Sequence, residues 1–259
     1  MRLRRAAELR HVARDVVRAL WLRRRYAKST MIHYPSYIAN LMLAGRALRN
    51  RRLRSAAIVE CGTWKGGMAA ALIHFGGSAR DYLFFDSFEG LPPAQELDGE
   101  KARAWQTNDQ SPSYYENCSA SLDDFKATIA RARPDLRRVA IHKGFFSDTL
   151  PAVKVPPIAI LRLDGDWYES TMQCLEKFWD SVIPGGLILI DDYYTWDGCS
   201  RAFHDFLSSR KATEKVRQPR FGCVGYIIKE VPDSSLTAKD PVGINVGDGD
   251  LSTDADLRL

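Results

Sequence analysis

Two apolar runs end in carboxylates: Ile158 to Leu163 runs into Asp164-Gly165-Asp166, and Leu187 to Ile190 runs into Asp191-Asp192. The first is bounded by Pro156-Pro157 and Gly165, and the second is entered through Pro184-Gly185-Gly186, so both read as short buried strands of a parallel sheet. Open α/β sheets hold ligands at the carboxyl ends of such strands. Adjacent strands would put Asp164, Asp191 and Asp192 on one rim, where they raise one another's pKa unless a cation lies among them. Mg2+ prefers oxygen ligands in octahedral array and keeps positions for water or substrate, which suits this trio plus two neighbouring hydroxyls. The competing expectation is that these aspartates cap the helices that follow. For Asp166, just before Trp167-Tyr168-Glu169, capping and chemistry are equally open.

The elements that must position them alternate strand with helix. Ala56 to Cys61 is the first strand, followed by Gly62-Thr63-Trp64-Lys65-Gly66-Gly67 and a small-residue helix from Met68 to Phe75. Strand, glycine bend and helix make a nucleotide-type βα unit, but the spacing is neither the Gly-x-Gly-x-x-Gly fingerprint nor a Gly-Lys-Ser/Thr phosphate loop. Its ligand therefore need not carry phosphates, and Glu60 would suit a cation or an amine. Tyr82 to Asp86 is a second strand ending in an acid, a position that commonly takes ribose hydroxyls; the plainer alternative is a cap before Ser87. Leu91 to Tyr115 reads as a long irregular insertion over the site. Cys118 to Arg133 reads as a helix and Arg137 to His142 as a strand. Phe145 and Phe146 suit either an adenine stack or the core. Helices follow from Tyr168 to Val182 and from Cys199 to Ser209, and residues 215–229 read as a closing hairpin. Alternating strands and helices finished by a hairpin specify a three-layer α/β sheet.

The chain of 259 residues carries a net charge of +5, unevenly spread. Residues 1–28 hold +8, residues 29–54 add five arginines and no acid, and the remainder sums to −8. An acidic main body argues against nucleic acid as a partner. Residues 1–54 read as a basic helical arm, with Leu9, Val12, Val16, Leu20 and Trp21 at helical spacing, and a candidate lid from Ser29 to Pro35. The arm would pack on its own domain or a second subunit, making a homo-oligomer, or touch an anionic membrane surface weakly. Residues 55–230 form the main domain, and residues 231–259, polar and Gly/Asp-rich, read as a disordered tail. No apolar stretch reaches membrane-spanning length and no signal peptide is visible, so a cytoplasmic location is expected. The five cysteines show no paired spacing and read as reduced, packed thiols.

Taken together, Thr30-Met31-Ile32, Glu60 to Gly67, Asp86-Ser87-Phe88-Glu89-Gly90-Leu91-Pro92, Leu163 to Thr171 and Pro184 through Asp191-Asp192-Tyr193 resemble the macrocin O-methyltransferase family over about Thr30 to Lys229. The resemblance implies a Rossmann-like class I methyltransferase fold, with a seven-stranded, mostly parallel sheet whose last strand is antiparallel. It implies S-adenosylmethionine and Mg2+ as cofactors, and methylation of a hydroxyl on a sugar or other vicinal diol, in natural-product or glycan modification, with a small or glycosylated acceptor. Carried over, Glu60, Gly62 and Thr63 contact the amino acid part of the cofactor, Asp86 and Ser87 its ribose, and Asp164, also at the cofactor, joins Asp191 and Asp192 as metal ligands. Asp164 or Asp166 would take the proton, Asp164 being favoured as a ligand that shares the role. His204 is an alternative base, and His33 and His142 are similar to it, with His33 the better placed to meet substrate because it lies in the candidate lid. Cys199-Ser200-Arg201 departs from the expected Cys-Arg pair, which puts a substrate role for Arg201 in doubt.

Two rivals stand beside this reading. Asp164-x-Asp166 also matches the short acidic motif of metal-dependent glycosyltransferases, which leaves Glu60 and the Asp191-Asp192 pair unexplained. A non-catalytic scaffold of the same fold, docked through the basic arm, is the other.

Overall fold

The computed structural model describes residues 2–133 and 135–230; the tail expected at 231–259 lies outside them. In chain order the elements are α1 (Arg2–Arg25), α2 (Tyr34–Leu48), β1 (Ala57–Cys61), α3 (Gly67–Gly76), β2 (Tyr82–Asp86), α4 (Gly99–Thr107), the single turn α5 (Tyr115–Cys118), α6 (Leu122–Ala130), β3 (Val139–Lys143), the single turn α7 (Phe146–Thr149), β4 (Ile158–Leu163), α8 (Tyr168–Phe178), β5 (Val182–Ile190), α9 (Asp197–Ser209) and β6 (Gly225–Ile228).

The strands form one sheet in the order β3-β2-β1-β4-β5-β6, with β6 antiparallel to β5 and every other pairing parallel. β1 and β4 are buried along their whole length, as near-continuous apolar runs between two helical layers must be. Alternate strand residues point to opposite faces. Ile58, Phe84, Ile160 and Leu187 pack with Leu22, Tyr26, Tyr37, Leu41, Leu72 and Phe125 from α1, the residue after it, α2, α3 and α6. Val59, Phe85, Leu161 and Ile188 pack with Ala102, Leu175, Phe178 and Phe203 from α4, α8 and α9. Three layers result, with α1 and α2 sharing one core with the sheet.

Among the described residues six strands are present where seven were expected. The missing member is the outer half of the closing hairpin: before β6 only Arg217 pairs, through two 2.8 Å bonds with Tyr226. Lys211 to Arg220 carries four basic residues, one acid and Pro219, which cannot donate to a ladder. The insertion after Leu91 is not wholly irregular either. Gln95 and Asp98 form a capping box that leads into α4, whose single buried residue, Ala102, leaves no apolar periodicity to read. The predicted helix from Cys118 starts instead at Leu122, because the Ser121 hydroxyl accepts the Asp124 N–H at 3.0 Å. Among the described residues no helix is long and apolar enough to cross a membrane.

Candidate active site

Register brings three strand ends level, with Cys61 opposite Leu163 and Leu163 opposite Ile190. The next residues emerge side by side, tied by Asp164 N–H to Cys61 O (2.9 Å) and Asp191 N–H to Leu163 O (3.0 Å). One carboxylate oxygen from each of Asp164, Asp191 and Asp192 lies within 4.8 Å of the others, as the sequence predicted. Three hard oxygen donors at this spacing fit Mg2+.

Crowding out of water sets the electrostatics. Burial, reinforced by the neighbouring carboxylates, pushes Asp166 up to about 8 and Asp192 well above the usual range. Burial also pushes Asp164 up to about 6, with Arg162 pulling the other way.

Arg162 is the residue that sequence reasoning missed. Its side chain is 1% exposed, and Nη1 lies 2.8 Å from both Glu60 Oε1 and Asp164 Oδ2, with Nη2 2.9 Å from Asp191 Oδ1. The expected cation among the carboxylates is thus partly built in. The available signal was an arginine inside an apolar strand, since such a charge is buried only with partners. Asn40 on α2 adds a hydrogen bond from Nδ2 to Asp191 Oδ1 (3.0 Å). The guanidinium pairs with Glu60, Asp164 and Asp191, and among the described residues no cationic side chain pairs with Asp166 or Asp192.

Asp166 does not cap the following helix. It adopts a left-handed φ of +58°, its N–H donates to Asp192 Oδ2 (3.2 Å), and its Oδ1 accepts the Trp196 indole N–H (2.7 Å). Asp98, from the insertion, takes the capping role instead, its Oδ1 accepting the Tyr168 N–H at 2.6 Å. Asp191 and Asp192 make no side-chain cap on α9 either.

Beside the rim opens a cleft of about 310 Å³ lined by Gly62, Thr63, Asp86, Ser87, Asp164 and Phe146, among others. Gly62 has φ +83°, and a Cβ there would fall 1.7 Å from the Asp164 carbonyl oxygen, so only glycine fits. Asp86 Oδ2 accepts from the N–H groups of Thr63 (2.7 Å) and Trp64 (2.8 Å), and Oδ1 from Phe88 (2.7 Å). It therefore shapes the glycine turn while facing the cleft. Ser87 Oγ donates to Gly90 O at 2.8 Å.

Glu60 is placed differently from the rest. It is fully buried, absent from the cleft lining, and among the described residues its Oε2 has no hydrogen-bond partner. Burial, outweighing Arg162, pushes it up to about 8. His204 is turned to the Tyr193 hydroxyl (2.7 Å), His142 stacks on Phe85 (4.4 Å) and His33 precedes α2. None of the three bonds to the carboxylate rim. Cys61 is buried with its thiol pKa raised by burial, while Cys118 lines the cleft.

Comparison with known proteins bears on what such a site does. The macrocin O-methyltransferase (TylF) family model matches residues 28–226. A 4'-O-methyltransferase of 8-demethyl-8-(2,3-dimethoxy-alpha-L-rhamnosyl)-tetracenomycin-C from Streptomyces olivaceus is 35% identical over 58% of this chain, and the match spans 57% of that relative's length. Demethyldecarbamoylnovobiocin O-methyltransferase from Streptomyces niveus is 29% identical with the same two coverages. Mycinamicin III 3''-O-methyltransferase from Micromonospora griseorubida is 27% identical over 80% of this chain and 84% of its own. The O-methyltransferase NovP has the same fold, with a TM-score of 0.63 at 22% identity over 75% of this chain and 81% of its own.

Proposed function

The chain belongs to the macrocin O-methyltransferase family, and from that premise we propose that it is an S-adenosylmethionine- and Mg2+-dependent O-methyltransferase acting on a sugar hydroxyl of a natural product or glycan. One observation carries the reading: the Asp164, Asp191 and Asp192 oxygens, within 4.8 Å of one another, adjoin a cleft floored by the glycine turn after β1. The three relatives named above are O-methyltransferases, and the name of the first gives a rhamnosyl-bearing compound as its acceptor, which supports this acceptor class.

When bound, S-adenosylmethionine supplies an electrophilic methyl group, and Mg2+ lowers the pKa of a coordinated hydroxyl. Gly62 and Thr63 would hold the amino acid part of the cofactor, Asp86 and Ser87 the ribose, and Phe145 and Phe146 the adenine. Asp164, Asp191 and Asp192 would hold the metal, fixing the acceptor for in-line attack. Arg162 keeps Asp164 and Asp191 in place. Asp166 is the better base of the two proposed: no guanidinium is paired to it, its Oδ2 is free of hydrogen bonds among the described residues, and with a pKa near 8 it has the proton affinity the task needs. The cytoplasm is the location we infer.

Calorimetric titration with S-adenosylmethionine, with and without Mg2+, tests the reading on wild type, Asp86→Ala and Asp192→Asn. Cofactor binding that weakens in Asp86→Ala, and Mg2+ binding lost in Asp192→Asn, are expected. A folded wild type that binds no cofactor overturns it.

A further inference from the structure

Lys65, in the turn between β1 and α3, also lines a second hollow of about 240 Å³ with Lys28, Ser29, Asp124, Thr128 and Arg131. Arg25 adjoins it. Arg25 and Arg131 each donate to the other's backbone carbonyl (3.3 and 3.1 Å), and their guanidinium carbons lie 5.8 and 5.3 Å from the Tyr26 ring. Among the described residues none of Arg25, Lys28, Lys65 and Arg131 has a carboxylate within 4.0 Å; Asp124 lines the hollow but pairs with none of them. Buried Thr128 donates its hydroxyl to Ser29 Oγ (3.2 Å), and among the described residues the Ser29 O–H has no acceptor. Like charges gathered in excess of their counter-charge repel, and an anion between them removes that cost.

We propose that this hollow binds a phosphate-type oxyanion, a phosphate or diphosphate group. Two ammonium groups, a guanidinium and a free hydroxyl supply the charge-assisted donors such a group accepts. Asp124 makes the net charge of the lining +2, matched to a dianion. The position gives the site a consequence. Lys28 and Ser29 lie just before Met31, and Lys65 just after Trp64; Met31 and Trp64 both line the large cleft. A Cβ on Gly67 would meet Ser29 O at 2.4 Å, so the two segments already touch. A bound oxyanion joins them through charge as well, holding the segment before α2 onto the turn that floors the cleft.

Phosphate binding is measured without cofactor, so it stands or falls apart from the methyltransferase reading. The test is calorimetric titration of the full chain with inorganic phosphate and with pyrophosphate in a low-salt buffer free of both. Saturable binding is expected, tighter for pyrophosphate and weakened about tenfold or more in the Lys28→Ala/Arg131→Ala double variant. Both side chains are exposed, and an unchanged melting temperature certifies that variant's fold. No saturable heat from wild type, or equal binding by the variant, overturns the site. Sedimentation with phosphatidylglycerol against phosphatidylcholine vesicles then identifies the source. Anionic-vesicle binding lost in the double variant supports a lipid headgroup, and phosphate binding without vesicle binding supports a phosphate on a soluble molecule.

Discussion

Asp166 is held by one donor whose removal has a defined sign. The Trp196 indole stabilises the ionised carboxylate and lowers its pKa, against burial and Asp164, which raise it. Trp196→Phe therefore raises the Asp166 pKa, and the rising acid limb of kcat against pH is expected to move to higher pH. An unmoved limb assigns proton removal to another group. Asp166→Asn is expected to lower kcat by about 100-fold or more while leaving cofactor affinity within a factor of a few, measured by single-turnover rates and calorimetry. Arg162→Met leaves Glu60, Asp164 and Asp191 buried without their guanidinium. A loss of about 3–5 kcal/mol in denaturant-unfolding stability is expected, with Mg2+ recovering part of it by replacing the missing charge.

At the scale of elements, the site depends on three strand ends held level by a glycine turn. Gly62→Ala would drive a Cβ into the backbone oxygen of Asp164, and neither β1 nor β4 can retreat from a ladder paired on both edges. A loss upwards of about 2 kcal/mol in unfolding stability is expected, together with loss of cofactor binding. Most of these elements were legible because strands buried on both faces read as apolar runs. α4 and the lack of a seventh strand among the described residues were not: α4 buries one residue and so leaves no stripe, and a hairpin arm without apolar alternation cannot be told from a loop.

Across the whole molecule, packed carboxylates make stability depend on pH. The folded-state pKa values of Asp164 (about 6) and Asp166 (about 8) are raised above the unfolded value of about 3.9. Between those values the folded chain binds more protons than the unfolded one, so metal-free stability falls as pH rises from about 4 to about 8. Mg2+ binds the deprotonated rim. Its increase in melting temperature is expected to be larger at pH 8 than at pH 6, and an equal or smaller increase contradicts a metal site built on these aspartates.

The sequence by itself determined the alternation of strands and helices, the placing of Asp164, Asp191 and Asp192 at two strand ends, and the glycine turn that faces them, because hydrophobic period and turn chemistry are local properties. Only the tertiary structure decided how charge is balanced there. Arg162 meets Glu60 across the β1–β4 ladder and Asp191 across the β4–β5 ladder, Trp196 reaches Asp166 from the start of α9, and Asp98 rather than Asp166 caps α8. Those partners are far apart along the chain and share no local pattern. A buried charge announces that it needs a partner, and which one it finds is settled by packing.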